Sequence, residues 1–235
     1  MKSSVFRFKQ FIVHQDQTAM KIGTDGVLLG AWAGAENPRR ILDIGTGTGL
    51  IALMLAHRFP QADIDAVEIE AGAVQQARQN FRISPWKERL QVFHTDFKDF
   101  QTPNRYDLIV SNPPYFDEDY LSNDKARNLA RHTDSLRLAS LLDKAQNLLN
   151  ENGSIQLILP IQKQEELCLL LRDRSLFLHQ ITFVKGRAEK PPKRILVKIS
   201  TKPATSSQNS LVIEKSRHHY TPEYIELTKD FYLKM

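Results

Sequence analysis

The sequence predicts an α/β fold: a mostly parallel sheet with helices on both faces and an antiparallel hairpin at one edge. Three observations predict it. Seven short β-like runs alternate with helical patterns from Arg40 onward, which implies parallel strands covered on both sides. A glycine-rich turn, Gly45 to Gly49, joins the first run to the first helical pattern. The last two runs are separated only by a Gly/Pro loop at 186–192, the connection expected of an antiparallel pair.

Each element follows from local pattern. Residues 6–21 mix aromatic and polar positions and lead through Gly23-Thr24-Asp25-Gly26 into an apolar run at 27–33. Residues 40–44 read as the first strand, and 50–58 as a helix stopped by Pro60, whose ring cannot continue it. The second strand is 64–68, followed by a helix over 71–83 that ends before Pro85. Residues 90–94 and 106–111 supply the third and fourth strands, and 136–149 a helix closed near Gly153. Residues 154–159 and 177–184 are strands flanking a helix around 165–171, and 194–200 completes the set with alternating, β-branched content. Residues 201–210 are rich in Ser, Thr and Pro and read as a loop. Residues 222–233 read as a terminal helix with Pro222 in its first turn. No internal repeat is present, and one domain over 1–235 accounts for every element.

At 235 residues the chain is long enough for one α/β domain with a substantial core, and 41% hydrophobic with 25% charged residues is ordinary for a soluble protein. Lys2, Arg7 and Lys9 interrupt the start, and no apolar stretch there resembles a signal peptide. The longest aliphatic block, 167–171, is far too short to cross a bilayer. A cytoplasmic location is therefore expected. The single cysteine, Cys168, excludes an internal disulfide and a cysteine-built metal site; in its leucine-rich helical segment it reads as a buried core thiol. His218-His219 has no carboxylate or cysteine at ligand spacing, so no metal is expected. Lys185 to Met235 hold eleven basic and five acidic residues, whereas the remainder is close to neutral. Positive charge gathered in one fifth of the chain suits a polyanion, because fixed cations release counterions from phosphates. A solvated basic face would look the same in composition.

Asp43-Ile44-Gly45-Thr46-Gly47-Thr48-Gly49 lies where the first strand meets its helix. Glycines there let the backbone turn sharply and approach a ligand, and the helix start offers unpaired N–H groups. Leu50 occupies the place where a dinucleotide fingerprint needs Gly or Ala, and the Gly-Lys-Ser/Thr end of a phosphate-binding P-loop is absent. The form D-x-G-x-G-x-G instead resembles motif I of class I S-adenosylmethionine-dependent methyltransferases. In that family the loop wraps the methionine and ribose part of the cofactor, which implies cofactor roles for Asp43, Gly45, Gly47 and Gly49. Glu68, ending the second strand, is placed to accept hydrogen bonds from ribose hydroxyls. Asp96-Phe97 follows the third strand, where the resembled family puts an acid near the adenine amine and an apolar ring on its face. All three sites fall at strand C-termini, the edge at which open α/β sheets bind ligands.

The fourth strand ends in Ser111-Asn112-Pro113-Pro114-Tyr115. An aromatic amine is a poor nucleophile, since its lone pair is delocalised into the ring. The Asn112 amide oxygen and the Pro113 carbonyl could each accept one N–H, favouring a more pyramidal nitrogen whose lone pair points at a methyl donor. Pro113 and Pro114 stiffen that geometry, so positioning costs little during reaction. Tyr115 offers a flat face for a base, worth ~1–3 kcal/mol. The tetrapeptide resembles that of amino-methyltransferases acting on adenine N6, cytosine N4, guanine N2 or a protein glutamine amide.

The whole chain resembles the bacterial tRNA (adenine-N6)-methyltransferases that modify the adenine beside the anticodon, position 37, of valine tRNA. The resemblance runs through residues 11–32, 41–50, 110–116, 191–195 and 220–233. It implies a Rossmann-like class I methyltransferase fold with a seven-stranded sheet, S-adenosylmethionine as cofactor, and Thr24 and Asp25 beside the methionine end. On this reading 1–34 is a cofactor-side segment, 185–194 a basic hairpin loop and 201–235 a C-terminal extension. Lys185, Arg187, Lys190, Lys193 and Arg194, against the single acid Glu189, are assigned to the phosphates of a tRNA anticodon stem-loop. A monomer is expected. His14, Gln15 and Lys21 either line the base pocket or fix the N-terminal segment, with the second preferred, and Arg131-His132 are either RNA contacts or an ordinary surface pair.

Four other readings compete. A glutamine methyltransferase usually carries an extra N-terminal helical domain, and a guanine-N2 rRNA enzyme carries a further domain and NPPF. A DNA adenine methyltransferase needs a target-recognition domain. Outside enzymes, an RNA-binding module that keeps the fold would have no need of an intact glycine loop and tetrapeptide.

Overall fold

The computed structural model describes residues 5–18, 21–114 and 138–234. Among them, β1 (Val5–Arg7) and β2 (Ile12–His14) form a small antiparallel hairpin. The main run follows as α1 (Thr24–Trp32), β3 (Arg40–Ile44), α2 (Leu50–Arg58), β4 (Asp63–Glu68), α3 (Ala71–Ile83), β5 (Leu90–His94) and β6 (Tyr106–Ser111). After the undescribed stretch come α4 (Leu138–Leu148), β7 (Leu149–Pro160), α5 (Gln164–Arg172), β8 (Phe177–Arg187), β9 (Arg194–Ser200), β10 (Ser207–Ser216), β11 (His219–Tyr220) and α6 (Pro222–Thr228).

All seven expected strands are present, and β8 and β9 pair antiparallel as expected. They lie in the order β8-β9-β7-β6-β3-β4-β5, with every neighbouring pair from β7 to β5 parallel. The sheet does not stop at the hairpin. β10 adds to β8 in parallel and β11 adds to β10, giving nine strands. Residues 207–210, expected as loop, therefore belong to a strand. The sequence there is mostly polar because β10 is an outer strand, with only Leu211 buried along it.

Two apolar layers sandwich the sheet. One packs α1, α2 and α3 against Ile41, Leu108, Val110 and Leu196. The other packs α4 and α5 against Leu42, Ile44, Ile109 and Val197. Consecutive residues of β3 and β6 fall on opposite layers, the period of two that a pleated strand imposes. From Leu50 to Ala56 every residue of α2 is buried; apolar on all sides, it is a core helix. At its C-terminal end the Arg89 guanidinium donates to Ala56 O at 2.8 Å and, just past the helix, to Phe59 O at 3.1 Å and Ala62 O. The terminal helix starts where expected, capped by Thr221, but ends at Thr228, where the chain turns and buries Phe231 against His57. Cys168 is a further correction. Leu167 and Leu171, four residues apart, face inward from α5, and Cys168 lies on its exposed side.

Candidate cofactor and substrate site

Register places the site. Ile44 at the end of β3 stands opposite Val67 on one side and Ser111 on the other, and Glu68 stands opposite His94. The glycine turn, the carboxylate of β4, the Asp96 turn and residues 112–114 thus leave one carboxyl edge of the sheet side by side. The Ser111 hydroxyl donates to Ile44 O at 2.8 Å and ties the start of the tetrapeptide to the strand that feeds the glycine turn.

The glycine turn is built from left-handed backbone. Gly45, Gly47 and Gly49 have φ of 69°, 57° and 83°. A β-carbon at Gly45 or Gly47 would project into open space, whereas one at Gly49 would lie 2.5 Å from the Phe81 ring. The first two glycines leave a backbone surface that a ligand can approach; the third lets α2 start against α3. Asp43 sits beneath, 0% exposed. Its Oδ2 accepts from the Thr46 hydroxyl at 2.5 Å and from Ala52 N at 3.2 Å, while Oδ1 has no partner. Burial pushes the Asp43 pKa up to about 7, against the two hydrogen bonds, and the Glu68 charge adds to the rise.

Glu68 anchors the local backbone. Its Oε2 accepts from Gly47 N at 2.8 Å, and its Oε1 accepts from Ile69 N and Glu70 N at 2.9 Å each. The carboxylate pins the glycine turn to β4 and retains one acceptor site, on Oε2, for a further donor. Ile69, next in the chain, is 48% exposed, an apolar face at the site edge that the sequence reading did not single out. Its signal was available: a large aliphatic residue directly after a strand-ending acid. His94 Nε2 lies 3.1 Å from the Ile69 carbonyl and steadies that corner.

Asp96 is half-buried and caps its own turn, Oδ1 accepting from Lys98 N at 2.9 Å. The Phe97 ring, expected on the face of an adenine, is only 3% exposed; it sits in the core near Phe100, with Lys144 Nζ 5.5 Å from its centre. The turn can thus offer backbone and the Asp96 carboxylate. Asn112 is half-buried, Pro113 buried and Pro114 exposed. Tyr115, Arg131 and His132 lie outside the described residues.

The N-terminal segment is held by α3. Asn80 Oδ1 accepts from His14 N at 2.9 Å, and its Nδ2 donates to His14 O at 2.9 Å and Thr48 O at 2.8 Å. Gln15 Oε1 accepts from Ile22 N at 2.9 Å, and the Lys21 ammonium donates to Gln15 O. These residues fix the segment that leads to α1. Thr24 is exposed at the start of α1, and beside it Asp25 receives Arg194 Nε at 2.8 Å. Gly26 lies close enough to the Leu50 side chain that a β-carbon would stand 3.1 Å away. The starts of α1 and α2 therefore meet at the glycine turn.

Arg194 departs from its expected role as a phosphate contact: its Nε is engaged by Asp25 and its Nη1 donates to Lys193 O at 3.1 Å. Arg187 Nε stands 3.9 Å from Glu214, and Lys185 is half-buried in β8. Lys190 and Lys193 are the exposed cations of the loop. Because β9 begins beside Pro160 at the end of β7, this loop rises from the same carboxyl edge as the glycine turn.

Residues 22–173 match the family described as methyltransferase small domain. The chain belongs to that family. This methyltransferase is 48% identical to the tRNA1(Val) (adenine(37)-N6)-methyltransferase of Christiangramia forsetii, over the full length of both chains. It is 49% identical to the protein of the same name from Flavobacterium johnsoniae, across 98% of this chain and all of that one. Among solved structures, a predicted O-methyltransferase from Agrobacterium tumefaciens shares the fold, with a TM-score of 0.68, 20% identity, and coverage of 88% of this chain and 96% of that one. Among the described residues no helix is long and apolar enough to cross a membrane, and no group of three His, Cys, Asp or Glu could hold a metal.

Proposed function

We propose that this methyltransferase moves the methyl group of S-adenosylmethionine to the N6 amine of adenine 37 in valine tRNA. The observation that carries the reading is the juxtaposition of Asn112-Pro113 with the glycine turn, across the Ser111–Ile44 pairing, in a chain with full-length relatives of that name. The residues present fit the cofactor. Open space over Gly45 and Gly47 suits its methionine and ribose part, the free acceptor site on Glu68 Oε2 a ribose hydroxyl, and Ile69 with Asp96 its adenine. Asp25 and Thr24 border the amino-acid end. The cofactor supplies a methyl group on a positively charged sulfur. The chain supplies position: Asn112 and the Pro113 carbonyl accept the two amine hydrogens and turn the nitrogen lone pair toward the donor. No strong base is needed, because the amine becomes acidic as it gains the methyl group and its proton can leave to water. An anticodon-loop base is already partly unstacked, so moving it into the site costs less than extracting one from a duplex.

The test is to incubate the protein with methyl-labelled S-adenosylmethionine and total tRNA, then digest the RNA and identify the labelled nucleoside. N6-methyladenosine is expected. Another nucleoside, or label in protein, overturns the reading.

A further inference from the structure

A second cationic surface lies on α3, in the part of the chain whose overall charge is near neutral. Gln75, Arg78, Gln79 and Arg82 follow the i, i+3, i+4, i+7 spacing of one helical face, and all four are exposed. The opposite face packs Val74, Ala77 and Phe81 into the core. With Gln17 from the N-terminal segment, the four line a groove of about 490 Å³. Arg78 and Arg82 also wall an adjoining groove of about 340 Å³ that continues toward Lys87 and carries one acid, Glu88. Among the described residues, neither Arg78 nor Arg82 takes part in an ion pair. An unneutralised guanidinium presents a planar fork of donors that matches phosphate oxygens, and flanking amides add neutral donors for ribose and phosphate.

The position of this surface gives it a partner. Asn112 follows β6, which is two strands from β9 on one side and two strands from β4 on the other. At about 4.8 Å per strand, the Lys190–Lys193 loop and the start of α3 each stand about 10 Å from the tetrapeptide, in opposite directions. Between the parallel strands β4 and β5, α3 runs back from the carboxyl edge along the face of the sheet, so Arg78 stands ~10 Å and Arg82 ~16 Å behind that edge, counted from Ala71. A polynucleotide with one base turned into the site must carry its backbone away on two sides. We infer that the α3 groove receives the sugar-phosphate backbone on one side of the target adenine, with Lys190 and Lys193 meeting it on the other. The inference rests on the tRNA reading above and extends it to a docking surface.

The experiment compares the parent protein with Arg78→Ala/Arg82→Ala and Arg78→Lys/Arg82→Lys, measuring the Kd for valine tRNA from 50 to 200 mM salt. The alanine pair should bind about 10-fold more weakly at 50 mM and show a flatter dependence on salt, because two phosphate contacts account for about a 10-fold loss across that range. The lysine pair, which keeps both charges without the guanidinium fork, should fall between the parent and the alanine pair, and the Kd for S-adenosylmethionine should be unchanged in both. An alanine pair that binds tRNA as tightly as the parent, or a lysine pair as weak as the alanine pair, overturns the groove. Methylation of adenine by the parent is read separately, so loss of the groove and loss of the proposed reaction are told apart.

Discussion

Asp43 makes stability depend on pH in a direction opposite to most carboxylates. Its side chain is 0% exposed and burial raises its pKa from 3.8 to about 7. Between those values the native protein keeps a proton that the unfolded chain has released, so stability falls as pH rises through this window and levels off above it. A rise of about three units corresponds to about 4 kcal/mol of destabilisation at alkaline pH, of which about 2.5 kcal/mol develops between pH 5 and pH 8. Asp43→Asn removes that titration while its amide oxygen can still accept from Thr46 and Ala52. Its NH₂ takes the place of the partnerless Oδ1, adding a constant cost that does not vary with pH. Urea unfolding of the cofactor-free parent and variant at pH 5, 6, 7 and 8 isolates the group, since every other titration is common to both. The variant should gain about 2–3 kcal/mol on the parent over that range. Parallel curves, or a parent that gains on the variant as pH rises, would refute the reasoning.

Three further outcomes are expected. Asn112→Ala should lower kcat at least ~100-fold with cofactor affinity retained, as single-turnover assays and calorimetry would report; a small change would remove the amide from the reaction. Arg194→Ala and Asp25→Asn should each cost less than ~1 kcal/mol of stability, because the pair is about one-third exposed, yet each should weaken S-adenosylmethionine binding several-fold. The charge-swapped double variant should recover part of that loss, and unchanged binding in all three would place the pair outside the cofactor site. Gly49→Ala forces a side chain into φ +83° and against Phe81; left-handed strain and ring displacement together should cost roughly 2–4 kcal/mol in urea unfolding, and a cost under about 1 kcal/mol would contradict the geometry.

Much of the fold was legible because it is local. The helices at 50–58 and 71–83 have the bounds their apolar periodicity and terminating prolines imply, and β3, β5, β6 and β9 fall where β-branched runs put them. Cys168 and β10 were misread for the same reason in opposite directions. Leucine-rich context suggested burial for a residue that the helical period turns outward, and polar context concealed a strand whose partner, β8, holds it mainly by backbone pairing. Ile69 carries a local signal too, a large aliphatic residue directly after the acid that ends β4, but its exposure at the site edge is fixed only by the fold.

By itself, the amino-acid order determined which chemistry the chain carries: a glycine turn after one strand, acids after the next two, and an amide with two prolines after the fourth. These are short-range signals, since strand ends, turns and caps depend on residues a few positions apart. Only the tertiary structure decided which of those groups meet. Arg194 is 169 residues from the Asp25 it holds, and Arg78 and Arg82 gain meaning from a groove that Gln17 helps to close. Such partnerships are set by strand order and by which face of a helix turns inward, and long-range packing is required to fix both.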